Sequence, residues 1–212
     1  NLSITEKNGA ARNRTISMTT KSFPDGLEKR FIRFIDPADV RGTSMLVVDN
    51  KVISDEIWIY LPALKKTRRI VSSEKGKSFM SSEFSNADMG SPTLADFNSR
   101  HISGSGSDNT WIIESVPVSD EKAEEYGYTR KISYIDMEKS QVKKMEYYNF
   151  DGEHFKTIEI KGIYSMPDGK YMIRNMVASN FVTNRRSEIL FSEINEKAKV
   201  EDSFFSLQNL ER

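Results

Sequence analysis

The chain has 212 residues, 31 of them Lys or Arg and 31 Asp or Glu, with two His and no Cys. Such a length fits one large β domain or at most two small ones, and the missing cysteines exclude thiolate catalysis, disulfides and thiolate zinc sites. A formal net charge of zero excludes a nucleic-acid binder working through a broad phosphate-neutralising surface. Hydrophobic residues are only 37%, yet 12 Phe, 8 Tyr, 9 Met and 2 Trp supply the bulk for a sizeable core. No apolar run approaches the about 18–20 residues that span a bilayer. Asn1-Leu2-Ser3-Ile4 lacks the basic and apolar regions of a signal peptide, so the chain reads as cytoplasmic or as processed after export.

Turn sequences set the period. Phe23-Pro24-Asp25-Gly26 and Val48-Asp49-Asn50-Lys51 combine a preset φ at Pro with residues that tolerate positive φ, and β-branched and aromatic segments lie between them. In Asp55–Leu61, Ile57, Ile59 and Leu61 share one face, and Trp58 and Tyr60 share the other. A strand apolar on both faces needs cover on both. That cover is either a lid or bound apolar ligand on a concave side, or two packed layers around a central strand. Next comes a basic window, with Lys65, Lys66, Arg68, Arg69, Lys75 and Lys77 against Glu74. Adjacent strand residues point to opposite faces, so one of Arg68 and Arg69 lies inside or at the mouth of the sheet. There it meets either a ligand anion or an internal carboxylate.

From Ser72 to Ser107 the chain is rich in Ser, Gly, Asn and Asp, with Phe79, Met80, Phe84, Met89, Leu94 and Phe97 spaced through it. A structureless loop of that length is unusual. The segment reads as a lid, with short helices over Ser85–Met89 or Thr93–Ser99. Ser103-Gly104-Ser105-Gly106-Ser107 returns the chain to a strand over Thr110–Val118, and the acidic Asp120–Glu125 run reads as a solvated turn or short helix. The second half predicts a meander of long strands at Tyr128–Asp136, Gln141–Asn149, His154–Ser165, Lys170–Thr183 and Arg186–Glu196. Phe150-Asp151-Gly152 and Met166-Pro167-Asp168-Gly169 are among its turns. Long strands in up-and-down order favour an open barrel or strongly curved sheet.

Motifs of catalysis are missing. The sequence has no phosphate-binding glycine loop and no His-Glu-x-x-His. His101 and His154 stand apart as surface residues, and nothing in the spacing of Asp96, His101 and Ser103 requires a triad.

Three blocks carry a resemblance. They are Phe34-Ile35-Asp36-Pro37-Ala38-Asp39-Val40-Arg41-Gly42-Thr43; then Asp55-Glu56-Ile57-Trp58-Ile59-Tyr60-Leu61-Pro62-Ala63-Leu64-Lys65-Lys66-Thr67-Arg68-Arg69-Ile70; then Lys77-Ser78-Phe79-Met80-Ser81-Ser82-Glu83-Phe84-Ser85-Asn86-Ala87-Asp88-Met89. In this order they resemble the outer-membrane lipoprotein-sorting protein family, the LolA-like proteins, in the branch associated with transporters of the resistance-nodulation-division type. The similarity runs from Leu27 to Arg212 and includes an ending of the family's kind, Ser203-Phe204-Phe205-Ser206-Leu207 with Leu210-Glu211. Ser81 stands where the family carries Gly, and Glu83 where it carries Asp.

The resemblance implies a mainly β fold across residues 1–212: an incomplete antiparallel β-barrel with a lid over its concave face, inserted at about 72–107. It implies an apolar cavity for the acyl chains of lipids or lipoproteins, each buried methylene contributing about 0.8 kcal/mol. Met45, Met80 and Met89 suit varied chains, and Trp58, Tyr60, Phe79 and Phe84 would be wall or lid. Arg68 and Arg69 are headgroup candidates. A periplasmic carrier in transient contact with the membrane follows, with no metal, cofactor or nucleic acid and with an inner-membrane transporter as a possible partner. The alternative is a non-enzymatic module that docks on such a transporter without carrying lipid. An enzyme using the cavity is disfavoured, because no acid–base pair or nucleophile stands out.

Overall fold

Alternating apolar residues and short polar turns fold this chain back on itself again and again. The computed structural model describes residues 1–50, 55–102, 109–166, 169 and 171–212. In chain order its elements are β1 (Leu2–Thr5), β2 (Ala11–Ser22), β3 (Glu28–Asp36), β4 (Ser44–Asp49), β5 (Glu56–Leu61), β6 (Lys66–Arg69), the single turn α1 (Ser72–Lys75), β7 (Phe97–His101) and β8 (Thr110–Pro117). There follow α2 (Asp120–Tyr126), β9 (Arg130–Asp136), β10 (Gln141–Tyr148), β11 (His154–Ser165), β12 (Tyr171–Asn180), β13 (Arg185–Leu190) and α3 (Leu207–Leu210).

The strands form one antiparallel sheet in the order β6-β5-β4-β3-β2-β1-β13-β12-β11-β10-β9-β8-β7. Short β1 joins two meanders, with Leu2 opposite Arg14 of β2 on one side and opposite Ile189 of β13 on the other. Thirteen strands about 4.8 Å apart would span about 60 Å if flat. Yet Leu2, Phe34, Met45, Ile57, Ile158 and Ile189, from six strands, share one buried cluster, so the sheet must curl around them. Register shifts at Ile160/Gly162/Ile163 on β11 and at Thr15/Ile16 on β2 mark bulges, which increase local twist. The edges β6 and β7 are not paired with each other, so the barrel is incomplete, as expected.

The predicted meander matches β9 to β13, with β11 agreeing end to end. The turns at 48–51 and 166–169 lie partly outside the described residues, and Ser103–Ser107 lies wholly outside them. One expectation changes. The crossing segment ends at Asp96, and Phe97–His101 is an edge strand paired with β8, Phe97 opposite Pro117. The acidic run is helix α2; the Ser119 hydroxyl accepts the Lys122 N–H at 3.2 Å as its N-cap.

A second, smaller cluster lies on the outer face of the first meander. Phe31, Leu46, Phe205 and Leu210 form it, with Trp58, Tyr60 and Phe204 packed against them. The C-terminal tail makes this layer and is fastened by its backbone: Lys21 Nζ donates to Val200 O at 2.6 Å, Arg33 to Asn209 O at 2.6 Å and Ser44 Oγ to Leu210 O at 2.5 Å.

Candidate functional site

The segment Ile70–Asp96 leaves edge strand β6 and reaches the opposite edge at β7, crossing the inner face as a lid. It has little regular structure beyond α1 and three one-turn 3-10 helices, Phe79–Ser81, Ala87–Met89 and Leu94–Asp96. Side chains hold it instead. Phe79, Phe84 and Met89 are buried in the inner cluster, and the Phe79 ring lies 5.8 Å from that of Phe34. Each such burial stabilises by about 1.5–3 kcal/mol.

Around this apolar plug the lid is tied to the wall by charge. Arg14 of β2 donates to Met80 O and Arg30 of β3 to Met89 O. Lys156 of β11 pairs with Asp88 at 2.9 Å, Arg185 of β13 pairs with Glu83 at 2.9 Å, and Lys75 pairs with Glu125 of α2 at 2.6 Å. Asp88 is held below the usual carboxylate range: burial opposes ionisation, but Lys156 and the Ser85 N–H outweigh it. Gly76 and Gly127 touch backbone to backbone. A Cβ on Gly76 would lie 2.8 Å from Gly127 Cα, so only glycine lets the end of α1 approach α2 this closely. Ser81 has φ +61°, a left-handed conformation that glycine adopts most readily.

The sequence-predicted site residues divide. Met45, Phe79, Met80, Phe84 and Met89 come together on the inner face. Trp58 and Tyr60 do not: they point away from the lid into the outer cluster beneath the C-terminal tail. Parity explains it, because Ile57 and Ile59 take the inner face of β5. The cover that both faces of this strand need is therefore supplied by the chain, the lid inside and the C-terminal tail outside. Arg68 and Arg69 also point to opposite faces, as expected, and each has a carboxylate of its own: Glu74 at 2.6 Å for Arg68 and Glu56 at 3.3 Å for Arg69. His154 rests between the rings of Tyr148 and Phe181.

Space opens elsewhere. Because β1 is short, it pairs only with Ala11–Arg14 of β2, and β13 reaches only Asn175–Asn180 of β12. Beyond those pairings the sheet splits, and the chain after β13 bridges the split. Phe191 N–H donates to Arg174 O at 2.9 Å, and the Tyr164 hydroxyl donates to Glu196. Between β2, β12 and this strap lies a cleft of about 720 Å³, lined by Met18, Met166, Met172, Phe191 and Ile194, with Glu193 and Glu196 also on its lining. The volume falls in the about 300–1,000 Å³ range of small-molecule sites. Met18 and Phe191 also pack against the inner cluster, so the cleft leads to the concave interior. Its residues escaped sequence reasoning, which followed the family blocks. The usable signal was the pair of methionines flanking the Pro167-Asp168-Gly169 turn.

A family model described as "-like: Uncharacterized protein" matches residues 26–212. No curated protein matches the chain in sequence. Among solved structures, a domain from Vibrio parahaemolyticus named for outer membrane lipoprotein sorting is 25% identical, with a TM-score of 0.87 over 100% of this chain and 89% of its own. A DUF1329 family protein from Desulfovibrio piger is 25% identical, with a TM-score of 0.86 over 99% of this chain and 88% of its own. A LolA superfamily protein from Nitrosomonas europaea shares the fold at 13% identity, with a TM-score of 0.71 over 98% of this chain and 88% of its own. With its open curved sheet, its lid and these relatives, the chain belongs to the LolA-like family of outer membrane lipoprotein-sorting proteins.

Proposed function

We propose that the protein is a periplasmic carrier that binds acyl chains of lipids or lipoproteins for transfer toward the outer membrane. The methionine-lined cleft at the split in the sheet is the observation that carries this reading. Thioether side chains are flexible and polarizable, so they fit chains of different length and unsaturation. Met18, Met172 and Phe191 receive the chain, and Met176 and Ile160, packed against the inner cluster, continue its path under the lid. Met45, Phe79, Met80, Phe84 and Met89 occupy in the closed state the space a longer chain takes when the lid lifts.

The second reading, a module that docks on a resistance-nodulation-division type transporter without cargo, draws support from that same plug. Phe79 and Phe84 already fill the interior beneath the lid. Binding separates the two. A carrier retains acyl species through gentle purification, seen by native mass spectrometry, and binds a fluorescent fatty acid; Met172→Asp abolishes that binding while the near-ultraviolet circular dichroism stays native. A wild-type protein that is lipid-free and does not bind the probe favours the docking module.

A further inference from the structure

Two neighbouring hairpin turns repeat one arrangement. In the β10–β11 turn, Asn149 Oδ1 accepts the N–H groups of Asp151 at 3.1 Å and Glu153 at 2.8 Å. In the β12–β13 turn, Asn180 Oδ1 accepts those of Val182 at 3.0 Å and Thr183 at 3.1 Å. The asparagine side chain thus sets both turns, and neither turn needs an apolar residue at the position that follows. Yet Phe150 and Phe181 stand there, 60% and 51% exposed, with Val182 beside Phe181 at 67%.

Antiparallel order puts both turns at the same end of the sheet, two strand spacings or about 10 Å apart. A continuous aromatic surface runs between them, the Phe181 ring 4.9 Å from that of His154 and His154 5.4 Å from Tyr148. Among the described residues, six large apolar side chains are more than half exposed. Five of them, Leu64, Leu94, Phe150, Phe181 and Val182, lie at this end. Apolar residues scattered singly over a surface are ordinary, but a gathering of them marks a contact.

Shape and charge identify what they contact. The turns protrude and form no groove for a helix or peptide. Apolar residues lead, and Tyr148 and His154, apolar in body and polar at the tip, stand behind them on the strands. That is the order of the hydrocarbon and headgroup layers of a bilayer. The cations nearby are engaged: Arg130 by Glu114 at 3.6 Å, Arg185 by Glu6 and Glu83 at 2.9 Å, and Arg186 by Glu188 at 3.8 Å. Asp151 is the sole charge within 149–152 and 181–184, so the contact needs no anionic lipid. We propose that Phe150 and the Phe181–Val182 pair dock the protein on a lipid bilayer by inserting into its interface. Thr183 of the same turn donates to Glu83 at 3.4 Å, so docking brings the Glu83 end of the lid to the membrane. The inference goes beyond the acyl-chain reading, since it uses neither the cleft nor the space under the lid.

Co-sedimentation with vesicles tests it, using phosphatidylcholine alone and phosphatidylcholine mixed with phosphatidylglycerol. The wild type binds both, and phosphatidylglycerol changes the binding by less than twofold. Phe150→Ser combined with Phe181→Ser lowers the partition coefficient at least tenfold while the circular dichroism stays native, since even half the burial of two phenylalanines outweighs a factor of ten. A Phe150→Trp protein gains quenching by brominated lipid over the wild type, a contact that a merely structural phenylalanine would not make. Met172→Asp leaves vesicle binding unchanged, and the double variant keeps the fatty-acid affinity of the wild type, so failure of carriage and failure of docking read separately. A wild type that sediments with neither vesicle would overturn the proposal, as would a double variant that binds within twofold of it. A dimer in analytical ultracentrifugation that the double variant abolishes would make a second copy the occupant instead. A tenfold rise with phosphatidylglycerol would move the contact to a basic surface and also overturn it.

Discussion

Phe79→Ala measures how much of the lid's closure is apolar. Phe79 is 1% exposed, with its ring tilted at 46° to that of Phe34, and its backbone is fixed by bonds from its N–H to Phe84 O at 2.7 Å and from Ser82 N–H to its own carbonyl at 2.9 Å. The turn therefore stays in place when the ring is removed, leaving a cavity rather than a collapse. Phe→Ala at such sites costs about 3–5 kcal/mol, and loss of the ring pair with Phe34 favours the upper half of that range. For a domain of this size 1 kcal/mol moves Tm by about 2–4 °C, so the expected fall is about 6–20 °C by circular dichroism. A fatty acid at about 100 times its Kd adds about 2.7 kcal/mol to whatever binds it. If the lid space is acyl-competent, the variant regains more Tm on adding fatty acid than the wild type gains. A fall below about 3 °C would refute the packing argument, and equal gains would restrict the chain to the outer cleft.

Trp58→Asp places a charge between β5 and the C-terminal tail, costing about 2 kcal/mol or more. Amide exchange over 202–211 should rise while fatty-acid affinity stays within twofold; lost affinity with a protected tail would return Trp58 to the inner face. Asp55 gives a pH signature. Burial raises its pKa from 3.8 to about 6, with Gly90 of the lid so close that a Cβ there would lie 2.8 Å from Oδ2. Between those two values the folded protein holds a proton that the unfolded chain has released, so this group's penalty is absent below pH 3.8 and complete above 6. Asp55→Asn should therefore raise Tm at pH 7.5 and not at pH 3.5. A gain that is the same at both would mean the carboxylate is not the cause.

Strand periodicity was legible because one face of the sheet is wet and the other dry. His154–Ser165 could be read to the residue, since Ile158 and Ile160 share one face and Thr157, Glu159 and Lys161 the other. The face of Trp58 could not be read that way. Period two assigns Trp58 and Tyr60 to one side of β5 and Ile57 and Ile59 to the other, but parity does not say which side is concave. The answer lies in the C-terminal tail, about 145 residues later, whose Phe205 and Leu210 need a face to cover. The methionine cleft was hidden for a related reason. It exists because β1 and β13 stop short, and element boundaries are the least readable feature of a sequence.

The lid's two kinds of fastening have different consequences for release. Phe79, Phe84 and Met89 resist lifting in proportion to the apolar area they would expose, and an arriving acyl chain compensates that area directly. The ion pairs are not compensated by hydrocarbon. Lifting the lid would take Met80 O from Arg14, Met89 O from Arg30 and Glu83 from Arg185, although Arg30 keeps Glu28 and Arg185 keeps Glu6. It would also leave the buried Lys156 without Asp88, where truncating one side of a buried pair typically costs about 3–5 kcal/mol. A purely apolar ligand therefore replaces only half of what holds the lid. An amphiphile with an anionic head replaces both halves, its chain standing in for the phenylalanines and its head for the acids. On the proposed carrier reading, ligand charge, more than chain length, is the variable that sets how far the lid opens.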